Sequence, residues 1–224
     1  MEADRKTLRV ETVAATTHGR FLVRPPDDGA EPALLLVGLH GYGESAERHM
    51  AQLRRIPGHD KWLMVAVQGL HRFYGRDEEV VASWMTREDR ELAIADNVAY
   101  VDAVVAAVRR RHGAATFPVF LGFSQGVAMA FRAAVLGAAG SAGIVALGGD
   151  IPPEVRGQPA ASFAHTLIAR GERDTWYTAE KMDADENFLR SIACPFESLT
   201  FDGGHEWTDD FRRAAGQFLA GLAG

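Results

Sequence analysis

Short apolar runs alternate with longer amphipathic stretches along the 224 residues of the chain. The first run of strand length is Leu34-Leu35-Leu36-Val37-Gly38-Leu39, set off by the turn-forming Pro25-Pro26-Asp27-Asp28-Gly29. Trp62-Leu63-Met64-Val65-Ala66-Val67, Phe117-Pro118-Val119-Phe120-Leu121-Gly122-Phe123 and Gly143-Ile144-Val145-Ala146-Leu147 follow. Thr166-Leu167-Ile168-Ala169 and Phe196-Glu197-Ser198-Leu199-Thr200-Phe201 complete six. The first five are almost continuously apolar, as strands buried on both faces of a parallel sheet are. Between them, Leu92, Ala95, Val98, Val101, Val105 and Val108 recur three or four apart and predict a helix over 89–112. Thr86-Arg87-Glu88-Asp89 reads as its N-cap box and Gly113 as its stop. Further helices are predicted near 45–55, 125–136, 179–191 and 209–222. Residues 8–13 and 20–23 predict an antiparallel hairpin ahead of the first parallel strand. No linker, repeat or low-complexity tract interrupts the alternation. It therefore predicts one α/β domain over 1–224, a mostly parallel central sheet with helices on both faces.

Composition narrows the partners. With 47% hydrophobic residues and 12 Phe, the chain can form a core, which excludes global disorder. Its net charge of −6 argues against nucleic acid, whose phosphates need a basic face. The one dense basic run, Arg109-Arg110-Arg111, closes a predicted helix, where cations suit the negative end of the dipole. Cys194 is the single cysteine, so no intramolecular disulfide forms, and it reads as a structural thiol. The start, Met1-Glu2-Ala3-Asp4-Arg5-Lys6, is charged and lacks the apolar core of a signal peptide. No apolar run approaches the roughly 18 residues of a membrane span. The expected address is the cytoplasm.

Gly122-Phe123-Ser124-Gln125-Gly126 ends a buried-strand pattern and begins a helix pattern. In that setting Gly-x-Ser-x-Gly is a strained turn that projects the serine hydroxyl at the sheet edge, beside the positive end of a helix. A serine hydroxyl is a weak nucleophile, so a base and an orienting acid must lie elsewhere. In this motif's usual order they follow as acid and then histidine. Only His165 and His205 come after Ser124, and His165 starts the fifth strand, at the wrong end of the sheet. His205, in the glycine-bearing loop Asp202-Gly203-Gly204-His205-Glu206-Trp207, is the expected base. Asp174 after the fifth strand and Asp150 after the fourth are both admissible acids. Asp174 is preferred because Gly171 permits the turn that returns it toward the histidine, while Glu172 and Asp202 read as solvated loop charges. The oxyanion of a tetrahedral intermediate needs two N–H donors. Gln125 supplies one. Tyr42, in Leu39-His40-Gly41-Tyr42-Gly43 after the first parallel strand, supplies the other, with His40 bracing that loop. Neither GxGxxG nor GxxxxGK[ST] is present, which disfavours a nucleotide.

With Leu39-His40-Gly41-Tyr42-Gly43, Gly122-Phe123-Ser124-Gln125-Gly126, Gly171-Glu172-Arg173-Asp174 and Gly203-Gly204-His205-Glu206 in that order, the chain resembles the α/β-hydrolase superfamily from Leu34 onward. Within it the chain is similar to the phospholipase/carboxylesterase group that includes acyl-protein thioesterases. The resemblance implies the α/β-hydrolase fold and carboxylester or thioester hydrolysis without cofactor or metal. It also implies a triad of Ser124, Asp174 and His205, with oxyanion amides at Tyr42 and Gln125. Val127 stands where such enzymes often carry a third glycine, and Trp176-Tyr177 replaces a smaller apolar pair.

Phe73, Tyr74 and Trp84, in the long loop after the second strand, join Trp176, Tyr177 and Trp207 as expected pocket walls, suited to an apolar acyl or aryl group. The segment 150–162 is short and carries Pro152, Pro153 and Pro159, which predicts a minimal lid or none. Small to medium acyl esters are therefore the expected substrates of a serine carboxylesterase. Acyl-thioesters, lysophospholipids and peptides are alternatives that the same machinery serves. A non-catalytic relative that only binds a small molecule is the alternative of another class.

Overall fold

A computed structural model describes residues 8–29, 31–32, 34–76, 78–113 and 117–223. The charged segment at residues 1–6 lies outside the described residues. Among the described residues nine strands and six α-helices are formed: β1 (Phe21–Arg24), β2 (Leu35–Leu39), α1 (Ala46–Leu53), β3 (Leu63–Val67), β4 (His71–Tyr74), β5 (Val80–Ser83), α2 (Arg90–His112), β6 (Pro118–Phe123), α3 (Gln125–Leu136), β7 (Gly143–Leu147), α4 (Pro153–Arg156), β8 (Thr166–Gly171), α5 (Ala179–Ser191), β9 (Phe196–Phe201) and α6 (Asp209–Ala223). Seven strands make one sheet in the order β1-β3-β2-β6-β7-β8-β9. Only β1 runs antiparallel to its neighbour; the other six are parallel.

Every residue of β2, β3, β6, β7 and β8 is buried, as their largely apolar runs require. Their alternating side chains feed two cores. Leu36, Met64, Leu121 and Val145 pack under Met50 and Leu53 of α1 and Phe211, Phe218 and Leu219 of α6. Leu35, Val37, Val65 and Phe120 face Val101 and Val105 of α2, Met129 and Phe131 of α3, and Leu189 of α5. Cys194 is buried at the rim of that second core, where burial pushes its thiol up.

Strand register brings the loops together. Leu39 at the end of β2 lies opposite Gly122 near the end of β6, and Phe123 lies opposite Leu147 of β7. The chain passes from β2 outward to β3 and then returns across it to β6, so the strand order reverses between β2 and β6. A crevice forms outside the carboxyl ends of the strands at such a reversal.

Three expectations need correction. Residues 8–20 form no strand: Leu8, Val10 and Val13 lie in solvent, with no partner to reward extended pairing, and only β1 joins the sheet. The loop expected after the second strand contains the β4–β5 hairpin, whose register pairs Phe73 with Val81 and His71 with Ser83. The start of α2 is phased differently, burying Ile94 and Asn97 while Leu92 and Ala95 face solvent. Asn97 is held by its amide, which donates to the carbonyls of Trp84 and Ala93, both at 2.7 Å. No capping box forms there, because Asp89 turns left-handed (φ 46°) and its side chain caps nothing.

Candidate active site

The chain leaves β6 and enters α3 through Ser124 alone, at φ 52° and ψ −119°, a backbone region that costs an L-residue about 1–3 kcal/mol. Close packing on every side enforces the turn. A Cβ on Gly126 would stand 1.9 Å from the Leu39 carbonyl oxygen, and one on Gly122 would stand 2.4 Å from the Gly126 oxygen. Helix α3 therefore begins in contact with the end of β2. The Ser124 amide donates to Leu147 (2.9 Å), which ties the turn to β7 as well.

His205 reaches this hydroxyl from the loop after β9. Its Nε2 lies 2.8 Å from Ser124 Oγ and its Nδ1 lies 2.8 Å from Asp174 Oδ2. With Nδ1–H donating to the carboxylate, the Nε2 lone pair is left to accept the serine proton. The imidazole packs over Phe123, with ring centroids 5.1 Å apart. Asp174, 4% exposed, accepts the amides of Trp176 (2.8 Å) and Tyr177 (3.0 Å) on its other oxygen. Both carboxylate oxygens are thereby engaged. Asp150 does not join the group; its side chain is exposed, and its nearest ionic partner is Lys181 at 3.9 Å. Asp202 pairs with Arg173 in solvent.

The loop after β2 lies against the elbow, since a Cβ on Gly41 would come within 3.3 Å of Ser124 Cβ. His40 braces it. Its Nδ1–H donates to the Gly41 carbonyl at 2.7 Å, its Nε2 accepts the Gly69 amide at 3.0 Å, and its own carbonyl accepts Trp84 Nε1–H at 2.8 Å. Burial holds its imidazole below the usual histidine range, with the Gly41 hydrogen bond opposing the shift. The amides of Gly41 and Gly43 are occupied, by Glu44 Oε2 (2.8 Å) and the Ala82 carbonyl (2.9 Å). Those of Tyr42 and Gln125 donate to no acceptor among the described residues. They are the two amides expected to face an oxyanion.

Two side chains of this site were missed in the sequence. Glu44 fixes the Gly41 amide, and burial pushes its carboxyl up, with the Gly41 amide, Arg48 and His205 opposing the shift. The Gln125 side chain turns away from the hydroxyl. It accepts the Trp84 amide (3.0 Å) and donates to the Met85 carbonyl (3.0 Å), locking the segment after β5 to the start of α3. A carboxylate three residues after Gly41 was the one available signal for Glu44.

The expected pocket walls divide. Phe73 stacks on Tyr42 at 5.6 Å, and Tyr74 and Trp176 are exposed. Trp207 packs between Phe123 (5.8 Å) and Phe211 (5.3 Å). Trp84 and Tyr177 are not walls: they are 0% and 1% exposed, anchored by the His40 carbonyl and by Asp185 Oδ2. Each spends its polar tip on bracing a loop. Cavities of about 520 Å³, beside Arg20, Arg48 and Arg72, and about 500 Å³, between residues 15–21 and α2, contain no residue of the Ser124–His205–Asp174 chain. Among the described residues no cluster of His, Cys, Asp or Glu could hold a metal ion, and no helix is long and apolar enough to cross a membrane.

A mostly parallel sheet with a strained serine elbow after a central strand, and the loops after β2, β8 and β9 around it, defines the α/β-hydrolase fold. No protein-family model and no curated protein sequence matches the chain. Among solved structures it is similar to esterase PE8 (22% identity, TM-score 0.73, covering 92% of this chain and 100% of that one). It is also similar to a carboxylesterase from Mesorhizobium loti (23%, TM-score 0.72, covering 91% and 94%). Zea mays acyl-protein thioesterase 2 is a third (17%, TM-score 0.72, covering 92% and 100%). The likeness extends over nearly the whole length of each and fixes the fold.

Proposed function

We propose that the chain is a serine carboxylesterase of small to medium acyl esters, working as a single domain in the cytoplasm. The observation that carries the reading is the hydrogen-bonded chain from Ser124 Oγ through His205 to Asp174, with both links at 2.8 Å. His205 Nε2 takes the hydroxyl proton as Ser124 Oγ bonds to the acyl carbon, and the carbonyl electron pair moves to oxygen. The amides of Tyr42 and Gln125 bind that oxyanion, and Asp174 steadies the imidazolium. The carbonyl re-forms, the bond to the leaving alkoxide breaks, and His205 protonates it. Water then repeats the sequence on the acyl-enzyme, releasing the acid and restoring the serine.

An acyl-thioesterase reading is favoured by one finding, the similarity to a solved acyl-protein thioesterase. A lysophospholipase would need the same machinery. A panel of p-nitrophenyl esters from acetyl to palmitoyl, run beside matching acyl-thioesters and acyl-anilides, separates these. The expected result is ester turnover with its optimum among the shorter acyl groups. Anilides should be slower by about 100-fold or more, because their poorer leaving group leans harder on positioning the substrate chain. A folded protein that turns over none of the esters overturns the proposal. A thioester optimum moves it to the thioesterase.

A further inference from the structure

Asp185, on α5, is a fully buried carboxylate that no step of the proposed reaction uses. Its Oδ2 accepts the Tyr177 hydroxyl at 2.9 Å and the Ile151 amide at 3.1 Å, and its Oδ1 accepts the Arg156 guanidinium. One carboxylate thus ties α5 to the loop after β8, the loop after β7 and helix α4. Both loops border the acid–base pair. Tyr177 donates its amide to Asp174 (3.0 Å), and its carbonyl is clamped by Arg170 Nε–H (3.1 Å). The loop after β7 begins at Gly148, where a Cβ would stand 3.0 Å from His205 Cε1 and 3.3 Å from Asp174 Oδ2.

Burying a carboxylate is expensive when an apolar side chain would fill the same space. Burial pushes this carboxyl up to about 6, with nearby Asp150 adding to the rise and Tyr177, the Ile151 amide and Arg156 opposing it. What the carboxylate supplies in return is direction, since its three partners fix where Tyr177 and the loop after β7 stand.

We propose that Asp185 is a positioning residue for the triad: through Tyr177 and Ile151 it sets the two loops that hold Asp174 against His205. The inference rests on the serine-hydrolase reading. Misplacing a catalytic pair by a fraction of an ångström costs rate while leaving substrate binding alone.

The test compares Tyr177→Phe, which deletes only the hydroxyl bond, and Asp185→Asn with the parent chain, each normalised by fluorophosphonate titration of active serines. In both, kcat per titrated site should fall about tenfold with KM within about twofold. The acid limb of the kcat/KM profile should move to lower pH, because the imidazolium loses part of its carboxylate support. The far-downfield proton NMR signal of His205 Nδ1–H should move upfield or broaden, a readout independent of turnover. A packing role alone would lower the number of titratable sites and change none of these. If Asp185→Asn does not fold, Tyr177→Phe decides. Parent-like kcat, acid limb and proton signal in the folded variants overturn the proposal. A parent chain that takes no label and shows no downfield proton overturns the serine-hydrolase reading instead.

Discussion

Ser124→Ala should lower kcat for p-nitrophenyl acetate by about 10⁴-fold or more while leaving the fold intact. The hydroxyl bonds His205 Nε2 and is the nucleophile of the proposed reaction, so its removal takes away nothing that supports the sheet. The residual rate is what the oxyanion amides and binding sustain without covalent chemistry, well above water but far below the parent enzyme. Alanine tolerates φ 52° no better than serine does, so the melting temperature should stay within a few degrees of the parent value. Steady-state kinetics with circular dichroism on the same preparation checks both halves. Parent-like turnover in the folded variant would remove Ser124 from the chemistry.

Gly126→Ala should destabilise the protein by about 3 kcal/mol or more and abolish activity with it. The added methyl would meet the Leu39 carbonyl oxygen at 1.9 Å and the His40 oxygen at 2.7 Å, both backbone atoms of a fully buried strand end. Backbone cannot rotate aside as a flexible side chain can. Helix α3 must back away from β2, which opens the gap between the Gln125 and Tyr42 amides. Gly157→Ala is the control, because nothing lies within 4 Å of its Cβ position and its φ of −87° suits any residue. Urea titrations of the three proteins should place Gly157→Ala beside the parent and Gly126→Ala far below. Equal midpoints would mean that the elbow is not packed as described.

Burial decided how much of this could be read from the chain. The strands whose side chains are covered on both faces, such as Leu63–Val67 and Gly143–Leu147, announce themselves as apolar runs, and the expected extents, from Trp62 and from Gly143, agree to within a residue. The β4 strand does not, because all four of its residues are exposed and His71-Arg72-Phe73-Tyr74 carries no alternation to read. The converse failure occurs at residues 8–13, where apolar residues remain in solvent and nothing in the pattern says so. On α2 the periodicity found the helix but misjudged its first turns, since a buried Asn97 with two carbonyl partners breaks an apolar template.

The site divides in the same way. Ser124 sits in a motif with a steric reason for each glycine, and chain order leaves His205 as the histidine on the correct side of the sheet. Asp174 and Asp150 leave the same edge on adjacent strands, so Gly171 alone favoured Asp174 in the sequence; in three dimensions it is Asp174 that meets the imidazole. The aromatic residues were least legible. A loop tryptophan has one spelling whether it stands exposed, as Trp176 does, or spends its N–H on a backbone carbonyl, as Trp84 does. Residues that hold loops, such as Glu44, Gln125 and Asp185, leave hardly any mark in the sequence, because their partners are backbone atoms or distant side chains.

The central claim is that Ser124 is a nucleophile activated by His205, and covalent labelling tests it most directly. The folded protein is treated with a fluorophosphonate probe, weighed intact, and digested to locate the adduct. One label per chain, carried on Ser124 and missing from Ser124→Ala, is the outcome expected of a serine hydrolase. A folded protein that takes no label, or one whose label persists in Ser124→Ala, would contradict it.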